Sequence, residues 1–252
     1  MAASKKHIIV TGGSRGIGRA ITEVLLRNGY KVSITGKDEK QLAKTTKELS
    51  LLGSIDYHAF NLARRNEVEN FVKEWDQPIY GLVNNAGVVE VENINDSDTG
   101  SWDRVLGVNL HGVYFLTKGL TKHIQNNGRI VSISSQLGKE GRAGYGAYCA
   151  SKFGVLGLTK CWAKELGSRG ITVNAVCPGW VKTEMGKKDL KRIAEERGVT
   201  IKALYKEICE PLELKRFTEP EEVANLVAFL ISSQASGITG RDMLLNTIWN
   251  QQ

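Results

Sequence analysis

Proline is scarce in this chain of 252 residues, with only four present, so few positions forbid a helix or strand and no Pro-rich linker divides it. Cysteine is equally sparse. Cys149, Cys161, Cys177 and Cys209 are scattered without C-x-x-C spacing or paired histidines, which argues against a zinc site or a disulfide framework and for reduced thiols. No apolar run approaches the ~20 residues of a membrane span, and residues 1–10 carry charge but no signal-peptide core, so a cytoplasmic protein with no membrane partner is expected. Nor is any basic block interleaved with aromatics. The net charge of +7 comes from Lys and Arg mixed with acids, and a solvated surface rather than a nucleic-acid partner is expected.

What the sequence does contain is alternation. Short β-branched runs at residues 6–10, 30–35, 55–60, 80–84, 129–134 and 171–176 alternate with apolar residues at helical spacing over 16–28, 39–52, 66–75, 102–126, 148–166 and 219–230. Strands this apolar, separated by helices, predict an α/β fold in one domain over residues 1–252. The sheet is a doubly wound parallel one of about seven strands with helices on both faces, counting a last strand near 243–246. The charged segment 183–216 interrupts the rhythm at the carboxyl end of a strand, where such folds place ligands, and is expected to be a helical lid.

The first strand runs into Thr11-Gly12-Gly13-Ser14-Arg15-Gly16-Ile17-Gly18, which opens a helix. Strand, glycine turn and helix together let bare backbone approach a pyrophosphate at the helix's positive end. Further along stand Asn84-Asn85-Ala86-Gly87, Asn109, Ser135, Tyr148-x-x-x-Lys152 and Pro178-Gly179 with Thr183. In this order they resemble the short-chain dehydrogenase/reductase family along nearly the whole chain, and within it the 3-oxoacyl carrier-protein reductases and related ketoreductases. The resemblance implies a Rossmann-fold oxidoreductase, commonly a homotetramer or homodimer, acting on a small-molecule or acyl-thioester carbonyl.

Reducing a ketone by hydride leaves an oxyanion that needs a proton and a hydrogen-bond donor. Tyr148 can supply the proton, and Lys152, one turn on, lies on the same helix face and is expected to lower the phenol's pKa. The resemblance gives Ser135, thirteen residues before the tyrosine, the substrate oxygen. It gives Lys152 the nicotinamide ribose as well, and Asn109 a water-linked proton route to Lys152. Ser134 is read as structural, and His111 as a packing or surface residue.

Cofactor choice rests on the end of the second strand, where an acid would read ribose hydroxyls and cations a 2′-phosphate. Gly36 takes the acidic position, Lys37 follows it, Arg15 sits in the glycine turn, and Asp38 is better placed to cap the next helix. NADP(H) is therefore expected. Gly12, Ser14, Arg15, Gly16, Ile17, Gly18 and Lys37 form the phosphate side; Asn61 and Leu62 stand near the adenine. Asn85, Ala86 and Gly87 would line the crevice with Tyr148 and Lys152, and Pro178, Gly179, Val181 and Thr183 would meet the nicotinamide.

Gln136, Leu137, Tyr145 and Trp180 flank these positions and are expected to shape the substrate pocket. The lid cations Lys187, Lys188, Lys191, Arg192, Arg197, Lys202 and Lys206 read first as a solvated helix face, with steering of an anionic substrate as the alternative. The tail from Arg241 to Thr247 departs from the family's usual Asp-Gly-Gly ending, with consequences for oligomer contacts or pocket closure. Three functions compete: an NADPH-dependent ketoreductase, a dehydrogenase of the same family running toward the ketone, and a catalytically silent dinucleotide sensor. The intact Ser135, Tyr148, Lys152 and Asn109 disfavour the last, because a sensor needs only the glycine turn and the ribose contacts.

Overall fold

The computed structural model describes residues 5–246, so Thr247 lies outside the described residues. Seven strands form one parallel sheet in the order β3-β2-β1-β4-β5-β6-β7: β1 (His7–Thr11), β2 (Lys31–Gly36), β3 (Ile55–Ala59), β4 (Ile79–Asn84), β5 (Ile124–Ile133), β6 (Thr172–Pro178) and β7 (Asp242–Leu245). The order reverses between β1 and β4. Loops leaving those two strands diverge to opposite faces and open a crevice at the sheet's carboxyl edge.

Each face carries its own core, as the apolar runs dictate. On one, α1 (Gly16–Arg27), α2 (Glu39–Leu49) and α9 (Pro220–Ile231) pack Ile21, Leu25, Leu42, Val223 and Val227 onto Ile8, Val10 and Ile34. On the other, α3 (Arg65–Glu74), α5 (Val113–Leu120) and α6 (Gly146–Leu166) bring Val68, Phe71, Leu116 and Trp162 onto Ile9, Leu82 and Ile130. The segment predicted as a lid is a pair of helices, α7 (Glu184–Glu196) and α8 (Ile201–Cys209), with a small core of Leu190, Ile193, Leu204, Leu212 and Phe217. Among the described residues no helix is long and apolar enough to cross a membrane.

The expected helix over 102–126 is broken up. It comprises α4 (Ser101–Leu106), a π-helical turn (Gly107–Gly112), α5, and a 3-10 turn (Thr121–His123), after which β5 has already begun at Ile124. Tertiary pairing overrides the helical spacing, because Ile124 is buried and pairs with Ile79. Asn127-Gly128 was the overlooked signal: Asn127 has φ of 60°, the left-handed conformation that Asn tolerates. The π turn is permitted by Gly112, where a Cβ would lie 2.4 Å from the Leu62 carbonyl oxygen. Helix α6 starts two residues before the predicted Tyr148, so the tyrosine sits inside its first turn.

Candidate active site

The glycine turn is built by close approach. Gly12 has φ of 65°, and a Cβ on Gly18 would stand 2.2 Å from the Gly12 carbonyl oxygen and 2.4 Å from Asn85 Nδ2. Helix α1 opens at Gly16 with no side-chain cap from Arg15 and no acid in its first turn, whereas α2, α7 and α8 are each capped by a side chain. The free N–H groups at the end of α1 fit an anionic diphosphate, and the bare turn leaves it room. Ser14 and Ile17 are half-buried beside it.

Thr11 organises the other wall of the crevice. Its hydroxyl accepts from the backbone N–H of Asn85 at 2.9 Å and of Ala86 at 3.0 Å. The Asn85 side chain donates back to the Thr11 carbonyl at 2.9 Å and to that of Gly12 at 3.3 Å. Asn85 thereby fastens the β4 loop to the glycine turn. Beyond β3, Asn61 accepts from the Ala63 N–H at 3.0 Å while Leu62 is buried in the core, so Leu62 supports this wall from beneath.

Ser135, Tyr148, Lys152 and Gly87 converge where β5 ends and α6 begins. Ser135 leaves β5 in an extended conformation, and its Oγ accepts from the Leu137 N–H at 3.1 Å and also hydrogen-bonds the Tyr148 phenol. Burial pushes that phenol up to about 12, a rise the Ser135 bond opposes. Lys152 Nζ lies 5.6 Å from the Tyr148 ring centroid and donates to the Ile133 carbonyl at 2.8 Å; burial pushes the ammonium down to about 8. The net direction for the phenol is therefore upward, set by loss of water around it rather than by a neighbouring charge. Ser134 Oγ donates to the Lys152 carbonyl at 3.0 Å, tying strand to helix.

Asn109 sits in the π turn and is buried. Its Oδ1 accepts from the Val88 N–H at 2.9 Å; its Nδ2 donates to the Val88 carbonyl at 2.9 Å and to Ser151 Oγ at 3.1 Å. The amide therefore clamps the β4 loop to α6. A Cβ on Gly87 would lie 3.5 Å from both Asn109 Oδ1 and Lys152 Nζ, which places all three residues around one point.

At the end of β2, Asp38 caps α2 by accepting from the Gln41 N–H at 3.1 Å and pairs with Arg15 at 2.5 Å. It thereby holds the arginine beside exposed Lys37. After β6, buried Pro178 leads to Gly179, whose N–H donates to the Leu245 carbonyl at 3.2 Å. Val181 is buried, and Thr183 caps α7 by accepting from the Gly186 N–H at 3.1 Å.

The pocket-shaping residues divide. Leu137 is half-buried, and Gln136 donates to Glu140 at 2.7 Å. Trp180 stacks on Phe217 at 5.1 Å, at the base of the α7–α8 pair. Tyr145 is only 3% exposed: its hydroxyl lies 2.7 Å from both Asp189 carboxylate oxygens and accepts from Arg192 at 2.7 Å. It clasps α7 to the start of α6. No sequence pattern links residue 145 to 189, so this clasp was missed. Four of the seven lid cations are paired: Lys187, Lys191, Arg192 and Arg197 pair with Glu184, Glu195, Asp189 and Glu207. Most of these acids stand at helical spacing from their partners.

The model of the short chain dehydrogenase family matches residues 6–194. The chain belongs to this family. It is 36% identical over 248 residues to the 3-oxoacyl-acyl-carrier-protein reductase of Thermotoga maritima and 39% identical over 248 residues to that of Aquifex aeolicus, covering 96% of each chain in both cases. Among solved structures it is similar to an actinorhodin polyketide ketoreductase variant with NADPH, at a TM-score of 0.89 and 33% identity over 97% of each chain. Levodione reductase follows at a TM-score of 0.87 and 27% identity over 96% of each chain. The protein is accordingly an oxidoreductase of the short-chain dehydrogenase family, with a Rossmann-type fold.

Proposed function

We propose that this oxidoreductase uses NADPH to reduce a ketone or 3-oxoacyl-type carbonyl, free or thioester-borne, to a secondary alcohol. The observation that carries the reading is the meeting of Ser135, Tyr148 and Lys152 at the carboxyl end of β5, beside Gly87. The names of the curated relatives, both 3-oxoacyl-acyl-carrier-protein reductases, support the substrate class, and the NADPH in a similar ketoreductase supports the cofactor.

The uncapped end of α1 with Gly12, Gly16 and Gly18 would hold the diphosphate, Arg15 and Lys37 a 2′-phosphate, and Val181 and Thr183 the nicotinamide amide. When bound, NADPH supplies the hydride that reaches the carbonyl carbon. Tyr148 holds the proton that this transfer calls for, since burial keeps its phenol protonated at neutral pH. The Ser135 hydroxyl donates to the same substrate oxygen and steadies the charge that grows there. Lys152, still largely protonated at neutral pH, stabilises the phenolate that Tyr148 leaves behind. Asn109 keeps α6 and the β4 loop in register, so both side chains keep their positions.

The test is a carbonyl panel assayed with NADPH and NADH in parallel, for wild type and Tyr148→Phe. The wild type should reduce ketones faster with NADPH; the variant should still bind NADPH but lose roughly 100- to 10,000-fold in turnover. Full turnover by Tyr148→Phe would sink the mechanism, and a clear NADH preference would overturn the cofactor assignment.

A further inference from the structure

Arginines in this molecule have acceptors almost everywhere. Arg15, Arg19, Arg104 and Arg216, for instance, pair with carboxylates, while Arg129 and Arg169 donate to backbone carbonyls. Arg142 does not follow this pattern. It lies in the loop between the 3-10 turn after Ser135 (Gln136–Gly138) and α6, it is exposed, and its guanidinium carbon sits 4.8 Å from the Tyr145 ring centroid and 5.6 Å from that of Trp180. Among the described residues its side chain has no carboxylate or carbonyl partner.

Both supporting rings are themselves fixed. Tyr145 is buried and its hydroxyl is held between Asp189 and Arg192, and Trp180 is stacked on Phe217 at an interplanar angle of 18°. Stacking holds a guanidinium by its face and leaves the N–H donors on its edge for another partner. The platform also stands beside the reacting groups. Tyr145 precedes Tyr148 by about one turn of α6, and Trp180 follows the end of β6 on the same edge of the sheet. A guanidinium held over two fixed rings and lacking a carboxylate or carbonyl partner is a preorganised receptor for a planar or tetrahedral oxyanion.

We propose that Arg142 is a specificity-determining residue that receives an anionic group of the carbonyl substrate. The inference rests on the ketoreductase reading. The shared chemistry is a set of anionic oxygens, and it has two sources: a carboxylate a few bonds from the ketone, or a phosphate farther along a thioester arm. Because the contact is remote from the reacting carbon, it acts on KM more than on kcat.

The experiment compares wild type with Arg142→Gln on two matched pairs, both with NADPH: a free 3-oxo acid against its methyl ester, and a 3-oxoacyl-coenzyme A against the N-acetylcysteamine thioester of the same acyl group. The expected result is that the charged-to-neutral ratio of kcat/KM falls about 10-fold or more in one pair, through KM, as loss of a charge-assisted hydrogen bond predicts. A fall in the first pair assigns the carboxylate, and a fall in the second the phosphate. An unchanged ratio in both pairs, or an equal loss on charged and neutral partners, overturns the role of Arg142 while leaving the ketoreductase reading intact. Failure of the wild type to reduce any of the four compounds overturns the ketoreductase reading and this inference with it.

Discussion

The proposed cofactor side and the proposed substrate side of the crevice are made of different material. The glycine turn after β1 is contiguous backbone, and its shape follows from the absence of Cβ atoms at Gly12 and Gly18. The substrate side is assembled from side chains of the loop before α6, the segment after β6, and α7. Its clasp spans 44 residues between Tyr145 and Asp189 and 47 between Tyr145 and Arg192. A backbone site is fixed by what a few adjacent residues lack, whereas a side-chain site depends on where distant helices pack. The first should therefore tolerate changes in the second, and the reverse.

The largest expected effect breaks the cofactor side alone. Replacing both Arg15 and Lys37 with Gln should lower kcat/KM for NADPH about 100-fold and for NADH less than about threefold, each cation contributing on the order of 10-fold toward a phosphate. Equal losses with the two cofactors would show that these cations do not read a 2′-phosphate.

A second prediction uses a region remote from both walls. At the amino end of β1, His7 is buried with Nε2 2.7 Å from Ser33 Oγ, and Ser33 Oγ in turn bonds Asp56. Burial lowers the His7 imidazole from 6.5 to about 4. The unfolded chain therefore takes up this proton first, so the His7 contribution is full above the unfolded value of 6.5 and is lost as pH falls through the window to 4. Between pH 7 and 5 this loss comes to about 2 kcal/mol in urea denaturation. His7→Gln should flatten that slope without altering the ratio of NADPH to NADH efficiency. A slope as steep as that of the wild type would assign the acid sensitivity elsewhere.

The smallest effect sharpens the contrast from the substrate side. Tyr145→Phe removes the hydroxyl from Asp189 and Arg192 and should raise KM for the carbonyl about fivefold, or about 1 kcal/mol, while NADPH affinity measured by fluorescence stays within about twofold. A matching rise in the NADPH dissociation constant would mean that the two walls are coupled rather than independent.

Much of this arrangement could be read without coordinates. The alternation of runs predicted a doubly wound sheet, the turn around Gly12 to Gly18 its ligand end, and Asp38 its cap on α2. What could not be read depended on long-range packing. The helix over 102–126 yields to a π turn and to the pairing of Ile124 with Ile79. Burial raises the Tyr148 phenol and lowers the Lys152 ammonium, an effect of packed surroundings that no spacing records. The Asn85 amide is tied to the Thr11 and Gly12 carbonyls of the glycine turn, more than seventy residues away in sequence.

Ser135 was joined to Tyr148 and Lys152 by the family resemblance. From its order of residues alone the chain determined most of its strands and helices, where glycine leaves room for a diphosphate, and that Tyr148 and Lys152 share a helix face. Those features are local, set by periodicity, by missing Cβ atoms and by the turn of a helix. Only the tertiary structure decided that Tyr145 is a clasp, that Lys187, Lys191, Arg192 and Arg197 are paired, and that Arg142 lies over Tyr145 and Trp180 without a carboxylate partner. Burial, and the choice of partner across a folded chain, depend on elements far apart in sequence, and no local pattern records them.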